Sequence, residues 1–301
     1  PAGNRIYSPK NLPPGLVPDV FSCRKCLPCR LNNAKEKAIR CWHESKMHDD
    51  NIFLTLTYSD EHLESPRLIY SHWQEFIHKL RDKIRYNSLG EQKISTMVTG
   101  EYGEQTKRPH WHALIFNYRP GDERPYRTTE RGDKVYRSET IQTLWNKGYI
   151  EYGDVTIDSA NYVARYAAKK LVHGIDQAHD YHPIHRTSSK HAIGKRWIEK
   201  YYKQTFEHGY VLLPNFQKAK IPRYYCEWVE KHHPAIWERY VTQIRPRLQE
   251  QAEAAERAEE MIFLTNLINK SCGAPHPMKR SQVKETILKA KFKQLQERLK
   301  L

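Results

Sequence analysis

The stretch that decides the fold is Arg108-Pro109-His110-Trp111-His112-Ala113-Leu114-Ile115-Phe116. In a β-strand, side chains two residues apart point to the same face of the sheet. A strand here would have two faces: His110, His112, Leu114 and Phe116 on one, and Trp111, Ala113 and Ile115 on the other. Two adjacent imidazoles can bind one divalent cation. The alternative is a strand that carries two edge histidines and no metal, and the surrounding sequence has to decide.

The composition indicates a partner that carries negative charge. The chain has 301 residues, with 50 Lys and Arg against 35 Asp and Glu, giving a formal net charge of +15 and a pI near 9.4. An excess of this size is typical of proteins that bind polyanions such as nucleic acids. The 19 tyrosines and 7 tryptophans offer flat faces on which unpaired bases stack, although part of them must fill the core.

Nothing in the sequence predicts export or a membrane span. No apolar run reaches the 18 residues at which a membrane helix is considered. The segment Pro1–Arg5 has no apolar signal region. We therefore predict a protein of the cytoplasm, without membrane partners, whose 6 cysteines stay reduced.

Composition and periodicity divide the chain into three parts. Residues 1–22, with five prolines, are predicted as an extended N-terminal arm, and 23–230 as one domain of helices and strands. Residues 231–301, rich in Glu, Gln, Lys, Arg, Ala and Leu, have the composition of a helical C-terminal extension. The polar segments 118–137 and 173–196 are predicted as loops.

Three cysteines, Cys23, Cys26 and Cys29, stand at C-x2-C-x2-C spacing before a predicted helix. A structural zinc site is one interpretation, but tetrahedral zinc needs a fourth ligand. Cys41 is too distant, because twelve residues of helix extend for about 18 Å. The alternative is three reduced thiols in a tight turn.

A strand and a helix carry further candidate residues. Thr55 and Thr57 share one face of a β-rich segment at 52–58, where their hydroxyls could contact DNA or orient groups near a metal, or simply be satisfied locally. Tyr162 and Tyr166 lie one turn apart on a helix predicted at 159–172 with Asp158 as its N-cap. Packing alone is the alternative for such a pair.

Four stretches, in this order, resemble the replication initiators of small single-stranded DNA phages, the microviruses, and most closely the gokushovirus branch. They are Cys23–Arg30, Phe53–Thr57, Gly100–Glu104 leading into Pro109–His112, and Tyr162–Lys170. The set is similar to the motifs of the HUH endonuclease superfamily in its two-tyrosine form, and the resemblance covers residues 20–225.

The resemblance implies an α+β, RRM-like fold, with a central antiparallel sheet of about five strands and helices packed on it. The tyrosine helix would cover the face that carries the histidines. The family's metal site takes a third ligand from the neighbouring strand, for which Glu101 and Glu104 qualify. We favour Glu101, which ends a strand, whereas Glu104 lies in the turn. A Glu and two His suit Mg²⁺ or Mn²⁺.

The implied activity is nicking and joining of single-stranded DNA at the viral origin, through a 5′-phosphotyrosine. Tyr162 and Tyr166 would be the nucleophiles, with Lys169 and Lys170 beside them. Arg108, Arg165, Thr55 and Thr57 would contact the DNA. The chain has no Walker motif, so helicase and polymerase would come from the bacterial host.

Two other functions fit part of this pattern. A non-enzymatic single-strand binder would use the same basic and aromatic surface. A plasmid relaxase or a transposase would share the fold, but these typically differ in the order or number of motifs, and the cysteine-rich arm argues against them. A covalent protein–DNA adduct would separate the enzymes from the binder.

Overall fold

The computed structural model describes residues 4–6, 20–22, 26–103, 106–130, 132–169, 184–188, 191–269, 278–279 and 282–290. Within these ranges, the side chains of residues 4–6, 20–22, 27, 165–169 and 215 lie outside the description. Contacts divide the chain into two compact units. The larger holds Ala2–Tyr202 and Leu212–Cys226, and the smaller includes Lys203–Val211 and Glu227–Leu301.

The larger unit alternates strands and helices. Its strands are β1 (Asn4–Ile6), β2 (Val20–Ser22), β3 (Asn51–Thr57), β4 (Ser95–Tyr102), β5 (Pro109–Phe116), β6 (Arg124–Thr128), β7 (Lys134–Arg137), β8 (Ile150–Asp154), β9 (Ile184–Thr187), β10 (Val211–Leu212) and β11 (Lys218–Ala219). Its helices are α1 (Leu27–Ser45), α2 (Tyr70–Asn87), α3 (Glu139–Trp145), α4 (Ile157–Lys169), α5 (Lys195–His208) and α6 (Arg223–His232), with a 3-10 turn at Pro214–Phe216. Several elements, such as α5 and α6, run across the boundary between the two units.

Seven strands form one antiparallel sheet in the order β6-β7-β8-β3-β5-β4-β9. The histidine strand β5 is central, between β3 and β4. The α+β class and the antiparallel sheet are therefore confirmed, with two strands more than the five expected. The additional pair, β6 and β7, is a hairpin in the segment predicted as a loop, and all five residues of β6 are exposed. A hairpin in solvent on both sides has no apolar alternation, which explains why its sequence does not predict strands.

The two faces of β5 bury different side chains, as the alternation predicts. Trp111, Ala113 and Ile115 pack in a core with α2 and α3. Leu114 and Phe116 pack in a second core, with the small and apolar residues of α1 and α4: Ala34, Ala38, Cys41, Ala160, Val163 and Ala164. Helix α4, which carries the tyrosines, therefore lies on the face of the histidines, as expected.

The start of α4 differs from the prediction. Its first residue is Ile157, so Asp158 lies inside the first turn and is not the N-cap. Thr156 is the capping residue, because its Oγ1 accepts the N–H of Ser159 at 3.1 Å while the N–H of Thr156 donates to Ser159 Oγ at 2.8 Å. This reciprocal pair satisfies two backbone donors at the end of the helix.

The smaller unit is helical, in keeping with its composition. It contains α7 (Pro234–Arg239), a π-helical turn (Tyr240–Ile244), α8 (Arg245–Ile268) and a helical stretch at 282–290. Within it, the Phe206 ring lies 5.0 Å from that of Tyr240. Lys284 pairs with Glu259 at 3.6 Å. Among the described residues, no helix has both the length and the apolar character needed to cross a bilayer.

Candidate metal centre

Sheet register brings the predicted ligands together. In β5, His110 lies opposite Thr57 of β3 on one side and Glu101 of β4 on the other. Two residues further along the same face, His112 lies opposite Thr55 and Thr99. Because residues directly opposite one another in a sheet project together, the register alone fixes Glu101 beside the histidine pair.

Glu101, His110 and His112 form a compact donor set. Each offers one ligand atom, and these atoms all lie within 4.8 Å of one another. The carboxylate Oε2 of Glu101 is 3.8 Å from Nε2 of His110. Glu101 and His112 are buried, and His110 is partly exposed. In the part of the chain that the structure describes, no other cluster of His, Cys, Asp and Glu has this geometry.

Hydrogen bonds at Nδ1 orient both imidazoles. Nδ1 of His110 lies 3.2 Å from the carbonyl oxygen of Arg108, to which a ring N–H donates. Nδ1 of His112 lies 2.9 Å from Oγ1 of Thr55. A hydrogen bond at one ring nitrogen determines which nitrogen is left for a metal, so Nε2 is the ligand atom of both rings.

Burial keeps these imidazoles neutral. It lowers the pKa of His110 from its ordinary value, and it lowers the pKa of His112 further, with the charge of His110 as a second cause. A neutral imidazole has the lone pair that a cation requires, whereas a protonated one does not. Both histidines are therefore ready to bind a metal at neutral pH.

Tyr162 of α4 reaches this cluster. Its hydroxyl lies 3.3 Å from Nε2 of His112, and the two rings are perpendicular, with centroids 5.1 Å apart. Phe53 of β3 stacks on the other side of His112, with centroids 5.6 Å apart. The phenol is thus held at the metal-ligating edge of the imidazole.

The two predicted threonines have different environments. Thr55 contacts His112, so it orients a ligand. Thr57 donates its hydroxyl to the carbonyl oxygen of Tyr149 at 3.1 Å. Arg108 is also bound within the protein, since its guanidinium pairs with Asp60 and donates to the carbonyl oxygen of Tyr58 at 2.8 Å. A DNA contact by any of these three residues stays a prediction.

Several predicted site residues fall outside the description. Glu104, Lys170 and Cys23 are not described, and for Arg165, Tyr166 and Lys169 only the helical backbone of α4 is described. Cys26 immediately precedes α1, and Cys29 is buried in its first turn. The zinc site and the choice between Glu101 and Glu104 therefore stay predictions, although Glu101 has the geometry of a ligand.

The sequence did not reveal that His185 belongs to the same sheet face. It lies in β9, not in a loop, and opposes Thr99, which in turn opposes His112. Its Nε2 lies 3.1 Å from Nζ of Lys37 in α1. No local pattern signals this arrangement, because β9 is a short strand whose pairing with β4 links distant parts of the chain.

Comparison with known proteins gives consistent matches. The sequence profile of a family described as Replication-associated protein, of the ORF2 type, matches residues 51–171, which include Glu101, both histidines and Tyr162. The chain is 56% identical to Replication-associated protein VP4 of Bdellovibrio phage phiMH2K, over 99% of this chain and 96% of that protein.

Two more distant relatives show the same kinship. Replication-associated protein ORF2 of Spiroplasma virus 4 is 34% identical, over 72% of this chain and 69% of the relative. Replication-associated protein ORF4 of Chlamydia phage 1 is 32% identical, over 69% of this chain and 53% of the relative. No solved structure matches the chain significantly. These matches confirm the resemblance that the four sequence stretches predict.

Proposed function

The chain belongs to the family of phage replication-associated proteins, and from that premise we propose that it initiates rolling-circle replication by nicking and rejoining single-stranded DNA. The observation that carries the proposal is the Tyr162 hydroxyl at 3.3 Å from His112, within a Glu/His/His donor set. A nucleophile next to a cation site is the arrangement that phosphodiester transfer needs.

The donor set fits a hard or borderline divalent cation. It combines one carboxylate with two neutral imidazoles, leaves coordination positions for water or phosphate oxygens, and contains no thiolate of the kind that selects structural zinc. Mg²⁺ or Mn²⁺ would be held by Glu101, His110 and His112. When bound, the cation would polarise a non-bridging oxygen of the scissile phosphate and offset developing negative charge.

The chain's own residues supply the remaining chemistry. The Tyr162 oxygen attacks phosphorus, the bond between phosphorus and the 3′ oxygen breaks, and a 5′-phosphotyrosine forms. The phenol loses its proton, and the departing 3′ oxygen gains one, so that a free 3′-hydroxyl can prime synthesis. Thr55 positions His112 through Nδ1, and Phe53 holds the other side of that ring.

The second tyrosine would complete the cycle. Tyr166 follows Tyr162 by one helical turn, and would cut the regenerated junction while the first phosphotyrosine is rejoined. Because the phosphotyrosine conserves the energy of the phosphodiester, joining requires no ATP. Lys169, Lys170 and Arg165 would contact DNA phosphates. The substrate would be single-stranded or supercoiled phage origin DNA in the bacterial cytoplasm, with helicase and polymerase from the host.

The test is covalent capture. The protein is mixed with Mn²⁺ and single-stranded phage DNA, and the products are run on a denaturing gel. A protein–DNA adduct is expected with the wild type and none with His110→Ala or His112→Ala, whose bulk DNA affinity should be nearly unchanged, because affinity comes mainly from Lys and Arg. Tight binding without an adduct under any metal would identify a non-enzymatic binder. Nicking at the full rate in EDTA would remove the metal from the mechanism.

A further inference from the structure

A cleft opens on the face of the sheet opposite the metal centre. It has a volume of about 410 Å³ and lies between helix α2, strand β4 and the β9 edge of the sheet. Register fixes its side of the sheet. Arg186 opposes Val98, whereas their chain neighbours His185 and Thr99 oppose each other on the face of the metal centre. We call it the α2–β9 cleft.

The polar lining of the α2–β9 cleft is basic or neutral. Arg81 and His78 come from α2, and Arg186 and His191 from the β9 side, while Ser188 and Thr96 contribute hydroxyls. No carboxylate is among the described residues that line it. Trp73, Ile77 and Val98 give it an apolar wall. This combination suits a ligand with negative charge and an apolar body.

The two arginines differ from most others in this unit. Arg85, Arg119 and Arg127 each have a carboxylate partner, at 2.7, 2.7 and 2.8 Å. Neither Arg81 nor Arg186 has one within ion-pair distance, in the ranges that the structure covers. Arg186 donates to the backbone carbonyl of His185, at 3.1 Å, and its guanidinium lies 5.6 Å from the ring centre of Tyr70.

Arg81 is also partly removed from water. Burial lowers its pKa, and the phenol of Tyr70 acts in the opposite direction. A half-buried cation without a counter-charge is costly, because charged groups away from solvent are normally paired. An anion in the cleft would supply the missing charge to both guanidinium groups.

We propose that the α2–β9 cleft binds the sugar–phosphate backbone of the single-stranded DNA on which the protein acts, at a place separate from the metal centre. The arginines would contact phosphates, and the apolar wall would contact a sugar or an unpaired base. A strand that leaves the metal face over the β9 edge arrives at this cleft. The choice of DNA as ligand rests on the proposed function, whereas the anion chemistry rests on the lining itself.

The test measures DNA affinity without cleavage. Fluorescence anisotropy in EDTA follows binding of a long labelled single strand over a salt series, for the wild type and for the double variant Arg81→Gln/Arg186→Gln. For single strands the slope of log K against log salt falls by about 0.7 for each phosphate that the protein no longer neutralises, so a decrease of about 1.4 is expected. Between 50 and 200 mM salt, wild-type affinity should therefore fall about sevenfold more than that of the variant.

Two further variants separate a specific site from general charge. Lys83→Gln/Arg85→Gln removes the same two charges from the same helix, outside the cleft lining, and should leave the slope near the wild-type value. Arg81→Lys/Arg186→Lys keeps both charges and should retain most of the slope. Far-UV circular dichroism and the unfolding midpoint establish that each variant is folded.

The outcomes are distinct. An unchanged slope in the cleft variant, or an equal decrease in the Lys83/Arg85 control, overturns the proposal. Competition by a mononucleotide as effective as that by the long strand would show that the ligand is a free nucleotide, which also overturns it. Nicking of a short oligonucleotide that spans only the cut site should be unaffected in the cleft variant. If no protein in the series nicks while the slope still decreases, the cleft stands and the proposed chemistry fails.

Discussion

Replacing Thr55 by Val tests whether the hydrogen bond at Nδ1 of His112 prepares the metal site. Valine keeps the shape and the strand preference of threonine and removes only the hydroxyl, which lies 2.9 Å from that nitrogen. A buried donor left without its partner costs about 1–3 kcal/mol. Outer-shell partners of a ligating histidine typically contribute about 10–100-fold to metal affinity. We therefore expect about 10–100-fold more Mn²⁺ for half-maximal nicking.

Thr57→Val is the matched control. Thr57 lies on the same face of the same strand, but its hydroxyl donates to the carbonyl oxygen of Tyr149. That carbonyl also accepts the N–H of Thr57, at 2.9 Å, and so stays satisfied in the variant. The Mn²⁺ response of this control should be close to that of the wild type.

The assay is a Mn²⁺ titration of the nicking rate, with calorimetric Mn²⁺ binding in the absence of DNA as a second readout. Calorimetry distinguishes a weaker metal site from weaker DNA binding. If Thr55→Val and Thr57→Val have the same half-saturating Mn²⁺ concentration, the orientation argument is refuted, and Thr55 serves the strand or the DNA instead.

Three further predictions concern a ligand, the nucleophile and acid stability. Glu101→Gln keeps the side-chain shape but removes its charge, so nicking should need at least about tenfold more Mn²⁺; an unchanged titration would transfer the ligand role to Glu104. Tyr162→Phe keeps the ring packing, and adduct formation in a denaturing gel should fall sharply, whereas full adduct would assign the first cut to Tyr166. Burial lowers the pKa of His43 to about 3, below its ordinary value of 6.5, so between these values the unfolded chain binds a proton that the folded chain does not, and stability falls as the pH falls. In His43→Phe, the slope of unfolding free energy against pH from denaturant titrations should be smaller by about 1.4 kcal/mol per pH unit, and equal slopes would contradict this.

The sequence by itself determined the local arrangement of the metal ligands. Alternation along β5 assigns His110 and His112 to one face because side-chain direction in a strand has a period of two residues, which no tertiary contact can change. Ser138 was likewise predictable as the N-cap of α3, since its hydroxyl accepts the N–H of Ile141 three residues later. These features depend on neighbours within one turn or one strand.

Only the tertiary structure decided what each of these residues contacts. Thr55 and Thr57 are equivalent in sequence, yet the register of β3 against β5 and the path of the chain before β8 give the first a histidine and the second a carbonyl. His185 and Arg186 reach opposite faces only because β9 pairs with β4. Strand pairing is set by burial and hydrogen bonds between segments far apart in the chain, so a short segment carries little information about its partner.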